Sequence, residues 1–194
     1  MVYNPKIKLD LKKIKDEILN CKKCPLYKTR TYPVIGQGNH QAKIILVGEA
    51  PGASEDKTGR PFCGPSGKIL DDLLKSAGIK REDVYITNIL KCRPPANRNP
   101  LKDEIEACTP YLEKQIKIIK PKVICTLGNF ATGYILDRFG LADKVQGISK
   151  IHGKIFTARN FKIIPLYHPA VAAYNYNMME VLKKDFEVLS EFSY

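Results

Sequence analysis

Lys43-Ile44-Ile45-Leu46-Val47, closed by Gly48-Glu49-Ala50-Pro51-Gly52, is the stretch that decides the fold. A short, almost unbroken apolar run stopped by a turn is how a parallel strand buried on both faces reads. Three more such runs follow: Val84–Leu90 (VYITNIL), Lys122–Leu127 (KVICTL) and Phe161–Leu166 (FKIIPL). Residues of helical period separate them. Ile69, Leu70, Leu73, Leu74 and Ala77 form one stripe, stopped by Gly78. Ile105, Cys108, Leu112, Ile116 and Ile119 form another, which Pro110 is expected to kink or split. A further helix should follow KVICTL to about Arg138. Ile7, Leu11, Ile14 and Ile18 predict a first helix ending at Asn20, and residues 178–189 a closing one. Gly147 and Gly153, between β-branched pieces of residues 145–158, predict a small hairpin. The alternation specifies fold class α/β: a three-layer α/β/α sandwich around a central four-stranded parallel sheet, one domain over residues 1–194.

Composition agrees with a globular chain. Of 194 residues 44% are apolar and 27% charged, which excludes disorder. No apolar run reaches the 18 or so residues of a membrane span, and the Lys-rich start lacks the apolar region of a signal peptide. A cytoplasmic protein is the expectation, with no membrane partner. Lys and Arg (32) outnumber Asp and Glu (20), a net charge of +12. Residues 1–30 hold nine basic against three acidic residues, so half of the excess sits in this segment. Such a basic face suits a polyanion, although a Lys-rich solvated surface reads the same way.

In open parallel sheets ligands sit beyond the carboxyl ends of the strands. There the sequence places Glu49-Ala50-Pro51-Gly52, Asn88, Gly128-Asn129 and His168-Pro169, one set per strand. Nucleotide-loop readings fail at that edge. Gly64-Pro65-Ser66-Gly67-Lys68 has Ile69 where a phosphate loop needs Ser or Thr and Phe62 where it needs its first Gly; Gly36-Gln37-Gly38 precedes a strand instead of following one. His168 differs from His40 and His152 in standing at this edge, where an imidazole can donate to developing negative charge.

Six cysteines in a chain without secretion signals point to metal or core packing before disulfides. Cys21-Lys22-Lys23-Cys24 has a spacing that lets two thiolates converge, and Cys92 and Cys108 supply two more; zinc and an iron–sulfur cluster fit equally well. Cys108 also lies on the apolar stripe of its helix. Cys125 reads as a buried hydrophobe, and Cys63 as either kind.

Gly48-Glu49-Ala50-Pro51-Gly52, the run from Glu55 through Gly59-Arg60-Pro61-Phe62, Thr87-Asn88, Lys91-Cys92-Arg93-Pro94-Pro95 with Asn97-Arg98, and His168-Pro169-Ala170 together resemble a family 4 uracil-DNA glycosylase, the thermophile type that carries a [4Fe–4S] cluster. Five motifs occur in order, and the similarity runs from about Cys21 to the last helix. The resemblance implies Cys21, Cys24, Cys92 and Cys108 as cluster ligands, pinning the basic N-terminal helix and CxxC segment to the core. It implies Phe62 as the ring that stacks on uracil, Asn88 as the amide that reads its edge, and His168 as the donor to the leaving base. Glu49, Glu55 and Asn97 fall in its positions for pocket shape and catalysis. Expected catalytic residues are therefore His168, Glu49 and Asn97, and expected substrate-binding residues Glu49, Ala50, Glu55, Phe62, Asn88 and His168. Two positions depart from related patterns. Ala50 stands where family 1 enzymes carry a water-positioning Asp, and Tyr174-Asn175-Tyr176 replaces an Arg-Asn-Pro segment typical of family 4.

The implied activity is hydrolysis of the N-glycosidic bond of uracil in DNA, leaving an abasic site. Implied partners are uracil-containing DNA, single- or double-stranded, and downstream repair enzymes or a sliding clamp, with the enzyme a monomer. The competing classes are a non-catalytic four-cysteine nucleic-acid-binding module, which has no need of an Asn and a His converging at strand ends, and an iron–sulfur electron carrier, which need not be so basic.

Overall fold

In the computed structural model, which describes residues 5–193, the four apolar runs become β2 (Ile44–Gly48), β3 (Tyr85–Asn88), β4 (Val123–Leu127) and β6 (Lys162–Leu166). These are mutually parallel and form the centre of the sheet. Two-residue strands that the sequence did not signal, β1 (Gln37–Gly38) and β5 (Phe156–Thr157), pair antiparallel on either edge, giving the order β1-β3-β2-β4-β6-β5. The four-stranded parallel core is therefore present inside a six-stranded mixed sheet. Both extra strands are too short to show a period, and their placement is set by the neighbour they pair with.

Alternation along each strand divides the core into two. Ile45, Val47, Tyr85, Ile124 and Ile163 face α1 (Pro5–Leu19), α4 (Lys102–Ile119) and α5 (Asn129–Arg138). Ile44, Leu46, Ile86, Cys125 and Leu166 face α3 (Pro65–Ser76) and the last long helix, Met178–Glu187. The result is the expected α/β/α sandwich. Each fully buried Leu or Ile here contributes about 1.5–3 kcal/mol. Helix α1 docks through its own apolar face, since Leu11, Ile14 and Ile18 are buried against the α4 side of the core. Its exposed Glu17 meets Lys114 Nζ at 2.6 Å, a surface pair worth at most about 1 kcal/mol.

Two local expectations need correction. Helix α4 runs unbroken through Pro110. Proline removes one N–H bond, but Pro110 and Glu106, whose carbonyl loses its partner, are both exposed, so the loss falls on the solvent side of the helix. Residues 145–158 do not make a hairpin of their own. They hold the single-turn helix α6 (Ile148–Ile151), and the antiparallel pairing lies between β5 and β6 across residues 158–161. The remaining short helices are α2 (Ala53–Thr58) and α7 (Val171–Tyr174), which makes Met178–Glu187 α8.

Register aligns the ends of the strands. Gly48 lies opposite Asn88, and Leu127 opposite Leu166, so the carboxyl ends of all four parallel strands are level. Strand β2 leads to β3 on one side and β4 leads to β6 on the other, so the switch point of the sheet falls between β2 and β4.

Candidate active site

A cleft of about 290 Å³ opens at that switch point, lined by Ala50, Gly52, Glu55, Phe62, Asn88 and His168 among others. Asn88 ends β3 and is 2% exposed. Its Oδ1 is the buried side-chain oxygen or nitrogen that lacks a hydrogen-bond partner among the described residues. Buried polar atoms are almost always satisfied, so an orphan at the mouth of a cleft is an acceptor kept for a ligand. Gly48, across the ladder, makes room for it: a Cβ there would collide with Asn88 Oδ1 and would approach Phe62 Cζ to 2.8 Å.

Phe62 holds its ring over the cleft at a backbone cost. Its φ of +46° is a left-handed conformation that bulky residues rarely adopt. Several bonds keep it there. Arg81 Nη2 donates to the carbonyls of Pro61 (2.8 Å) and Phe62 (3.1 Å). The next two amides, of Cys63 and Gly64, both donate to Glu55 Oε1 at 2.9 Å. Glu55 thus fastens the Phe62 loop to α2. The Phe62 and His168 rings lie 5.7 Å apart with 31° between their planes.

His168 follows β6. Its Nδ1 accepts the Ala170 N–H at 3.2 Å, which leaves the ring proton on Nε2 as the free donor. Burial lowers its pKa, against a smaller opposing influence of Glu55, so the ring is neutral near pH 7. Gly128, at φ +91°, lets the β4 turn pass close beneath; a Cβ there would sit 3.3 Å from His168 Cβ.

The other expected residues are placed less alike. Glu49 is half-buried beside Ala50 but outside the cleft lining, and burial raises its carboxyl pKa. Asn97 is exposed, outside the cleft lining, and its Oδ1 accepts from Arg93 Nε at 2.7 Å. Ala96 and Asn97 share left-handed φ values of 52° and 54°. Tyr174 and Tyr176 project into solvent beyond His168, 90% and 82% exposed.

Cys21, Cys24, Cys92 and Cys108 line one pocket between the end of α1, the segment after β3 and α4. Donors point at its sulfurs: Arg30 Nη1 at Cys92 Sγ (3.1 Å) and the Lys91 amide at Cys108 Sγ (3.2 Å). Burial pushes the Cys108 thiol up to about 12, so its thiolate needs a compensating positive group. No set of three or more His, Cys, Asp or Glu among the described residues is spaced around a single ion. Cys125 is fully buried in β4, and Cys63 lies beside Thr58 Oγ1 at 3.2 Å.

Sequence reasoning missed Lys91 as more than a motif letter. It is 1% exposed, and its Nζ donates to Thr87 Oγ1 (2.7 Å), the Asn88 carbonyl (2.8 Å) and Gln115 Oε1 (2.9 Å). Burial brings its pKa down to about 8, offset by the nearby sulfurs of Cys108 and Cys92. The one available signal was a charged residue directly ending the apolar run VYITNIL.

Comparison with known proteins gives concordant results. The family model described as the uracil DNA glycosylase superfamily matches residues 35–190. The type-4 uracil-DNA glycosylase of Sulfurisphaera tokodaii is 47% identical over 186 residues, covering 93% of this chain and 84% of that protein. Its counterpart in Archaeoglobus fulgidus is 46% identical over 179 residues, 90% and 89% of the two chains. That of Thermotoga maritima is 41% identical over 182 residues, 92% of each.

Proposed function

The chain belongs to the uracil-DNA glycosylase superfamily, and from that membership we propose how its own residues carry out excision. It is a hydrolase of DNA repair that cleaves the N-glycosidic bond of uracil, releasing the free base and leaving an abasic site. The observation that carries the assignment of roles is the orphaned Asn88 Oδ1 in a cleft shared with Phe62 and His168.

A base inside a duplex is out of reach of this cleft, so the uridine must leave the stack. The basic surface holds phosphates and supplies affinity without sequence preference. The extruded base stacks on Phe62, an interaction worth about 1–3 kcal/mol. Asn88 Oδ1 accepts uracil N3–H, and its amide nitrogen donates to O4. Cytosine reverses that pattern and leaves buried groups unpaired on both sides, a large penalty in a site built to hydrogen-bond its substrate. As the C1′–N1 bond breaks, charge grows on the base, and His168 Nε2–H donates to O2. A donor aimed at developing charge contributes about 10²–10³ in rate. Glu49, adjacent in the chain to the cleft residue Ala50, would hold the attacking water. Asn97, outside the cleft lining, would act through its bond to Arg93. Glu55 holds the stacking ring in place.

The four cysteines that line one pocket make a donor set suited to a [4Fe–4S] cluster, which takes one thiolate per iron. Cys21, Cys24, Cys92 and Cys108 would hold it, and ligation would join the N-terminal segment to the region after β3, stabilising residues 1–194 as one domain. As a repair enzyme acting alone on chromosomal DNA it would work in the cytoplasm as a monomer. Its abasic product would pass to downstream repair enzymes or to a complex on a sliding clamp.

Incubation with a duplex bearing one uracil tests the reading, with thymine and cytosine duplexes as controls. Free uracil and abasic sites should form from the first alone. A protein that binds the uracil duplex and releases no base would return the chain to the binding-module class.

A further inference from the structure

Lys91 lies between the two sites and touches both. Its ammonium has three protons and three acceptors, Thr87 Oγ1, the Asn88 carbonyl and Gln115 Oε1, so its position is fully determined. All three acceptors are neutral, and no carboxylate pairs with it among the described residues. A buried cation without a counter-charge is strongly disfavoured. Lys91 directly precedes Cys92 in the chain and lines the four-cysteine pocket together with Cys92 and Cys108. These are neutral as free thiols and anionic as ligands, and four thiolates outweigh the charge of a [4Fe–4S] core. The Lys91 backbone repeats the link, its N–H donating to Cys108 Sγ at 3.2 Å.

We propose that Lys91 is a positioning residue that couples the cysteine site to base reading: its ammonium balances the thiolates of Cys92 and Cys108 and, through the Asn88 carbonyl and Thr87, fixes the end of β3 that presents the Asn88 amide to uracil. The inference rests on the cysteines holding a cluster and on Asn88 reading the base. Under it, loading of the cysteine site and geometry of the uracil pocket are one structural event, because a single side chain belongs to both.

Holoprotein of Lys91→Met tests the coupling. The neutral chain of similar length replaces a buried charge without leaving a void. The reduction potential of the cluster should fall, because the reduced cluster carries the more negative charge and has lost a nearby cation. Single-turnover uracil excision should drop about 10–100-fold, the usual range for residues behind a first layer of ligands, with affinity for undamaged duplex unchanged. A lysine that merely fills space would alter the melting temperature and neither of these. Thr87→Val separates the two arms: it keeps the ammonium but removes one acceptor, so excision should fall while the potential stays. If Lys91→Met does not yield folded holoprotein, Thr87→Val decides alone, and wild-type excision in it overturns the coupling. Iron-free wild-type protein, or Asn88→Ala with undiminished excision, overturns the underlying reading and this inference with it. A loaded Lys91→Met protein with wild-type potential and rate overturns the inference and leaves that reading standing.

Discussion

Asn88 offers one acceptor and one donor at the end of β3, and the acceptor has no partner among the described residues. Asn88→Ala keeps the pocket and removes both bonds, so uracil excision should fall roughly 10²–10⁴-fold with duplex affinity retained from phosphate contacts. Asn88→Asp presents acceptors only when ionised. It should abolish uracil excision and permit weak release of cytosine, whose N4 amine is a donor. Measuring both bases beside a thermal melt checks the pair, and a stably folded Asn88→Ala with normal excision would end the assignment. His168 carries a second residue-scale expectation. Burial sets its folded pKa below the unfolded value near 6.5, so the unfolded chain takes up the proton first. The stability tied to neutral His168 is therefore complete above that value and is lost as pH falls towards the depressed one. Melts of wild type and His168→Gln from about pH 7.5 to about pH 5 should show the wild type losing more. Equal losses would show that burial does not hold the ring neutral. At this scale the sequence pointed to Phe62, Asn88 and His168, by strand-end position or motif match, and all three line the cleft. It carried no sign that His168 Nδ1 accepts the Ala170 N–H or that Asn88 Oδ1 lacks a partner among the described residues, because both depend on neighbours brought in by folding.

Among elements, the approach of β2 to β3 at Gly48 sets the pocket. A methyl there would meet Asn88 Oδ1 and the Phe62 ring together, in a sheet whose register cannot slip without moving every side chain of β2 to the other face. Gly48→Ala should cost about 1–3 kcal/mol of stability from overpacking and should remove most excision activity. A melt and a single-turnover assay on the same preparation check this; normal excision would mean that the strand end yields and that the close approach is not required. Strand and helix order was legible from period alone, because buried parallel strands and amphipathic helices differ in pattern over windows of this length. Period failed in two kinds of place. The edge strands β1 and β5 are two residues each, and the sequence between 145 and 158 is governed by pairing with β6. Pro110 reads as a break in the sequence, yet the bond it removes faces water on the outer side of α4.

For the whole molecule, a net charge of +12 makes DNA affinity a salt-dependent quantity. Raising salt from about 50 to about 200 mM should weaken duplex binding about 10³–10⁵-fold if six to ten phosphates are neutralised. Lys22 and Lys28 are exposed on the basic N-terminal segment, and reversing both charges should flatten that slope. An unchanged slope would make the segment a solvated face. The cysteines divide by location in the same way. Cys108→Ser should bleach and destabilise the protein, while Cys125→Ser, altering a residue buried inside β4 and away from the four-cysteine pocket, should keep its colour. A colourless wild type holding one zinc would remove the cluster. By itself the sequence determined the layer architecture and placed Asn88 and His168 at the sheet edge where the cleft opens, because period and strand-end position are local properties. Only the tertiary structure decided that Asn97 stands outside the cleft lining, that Glu55 holds the Phe62 loop, and that Lys91, lining the four-cysteine pocket, donates to the Asn88 carbonyl. Those facts are contacts between residues far apart in the chain or turned by a backbone angle, and no spacing along a sequence encodes which acceptor a buried side chain will find.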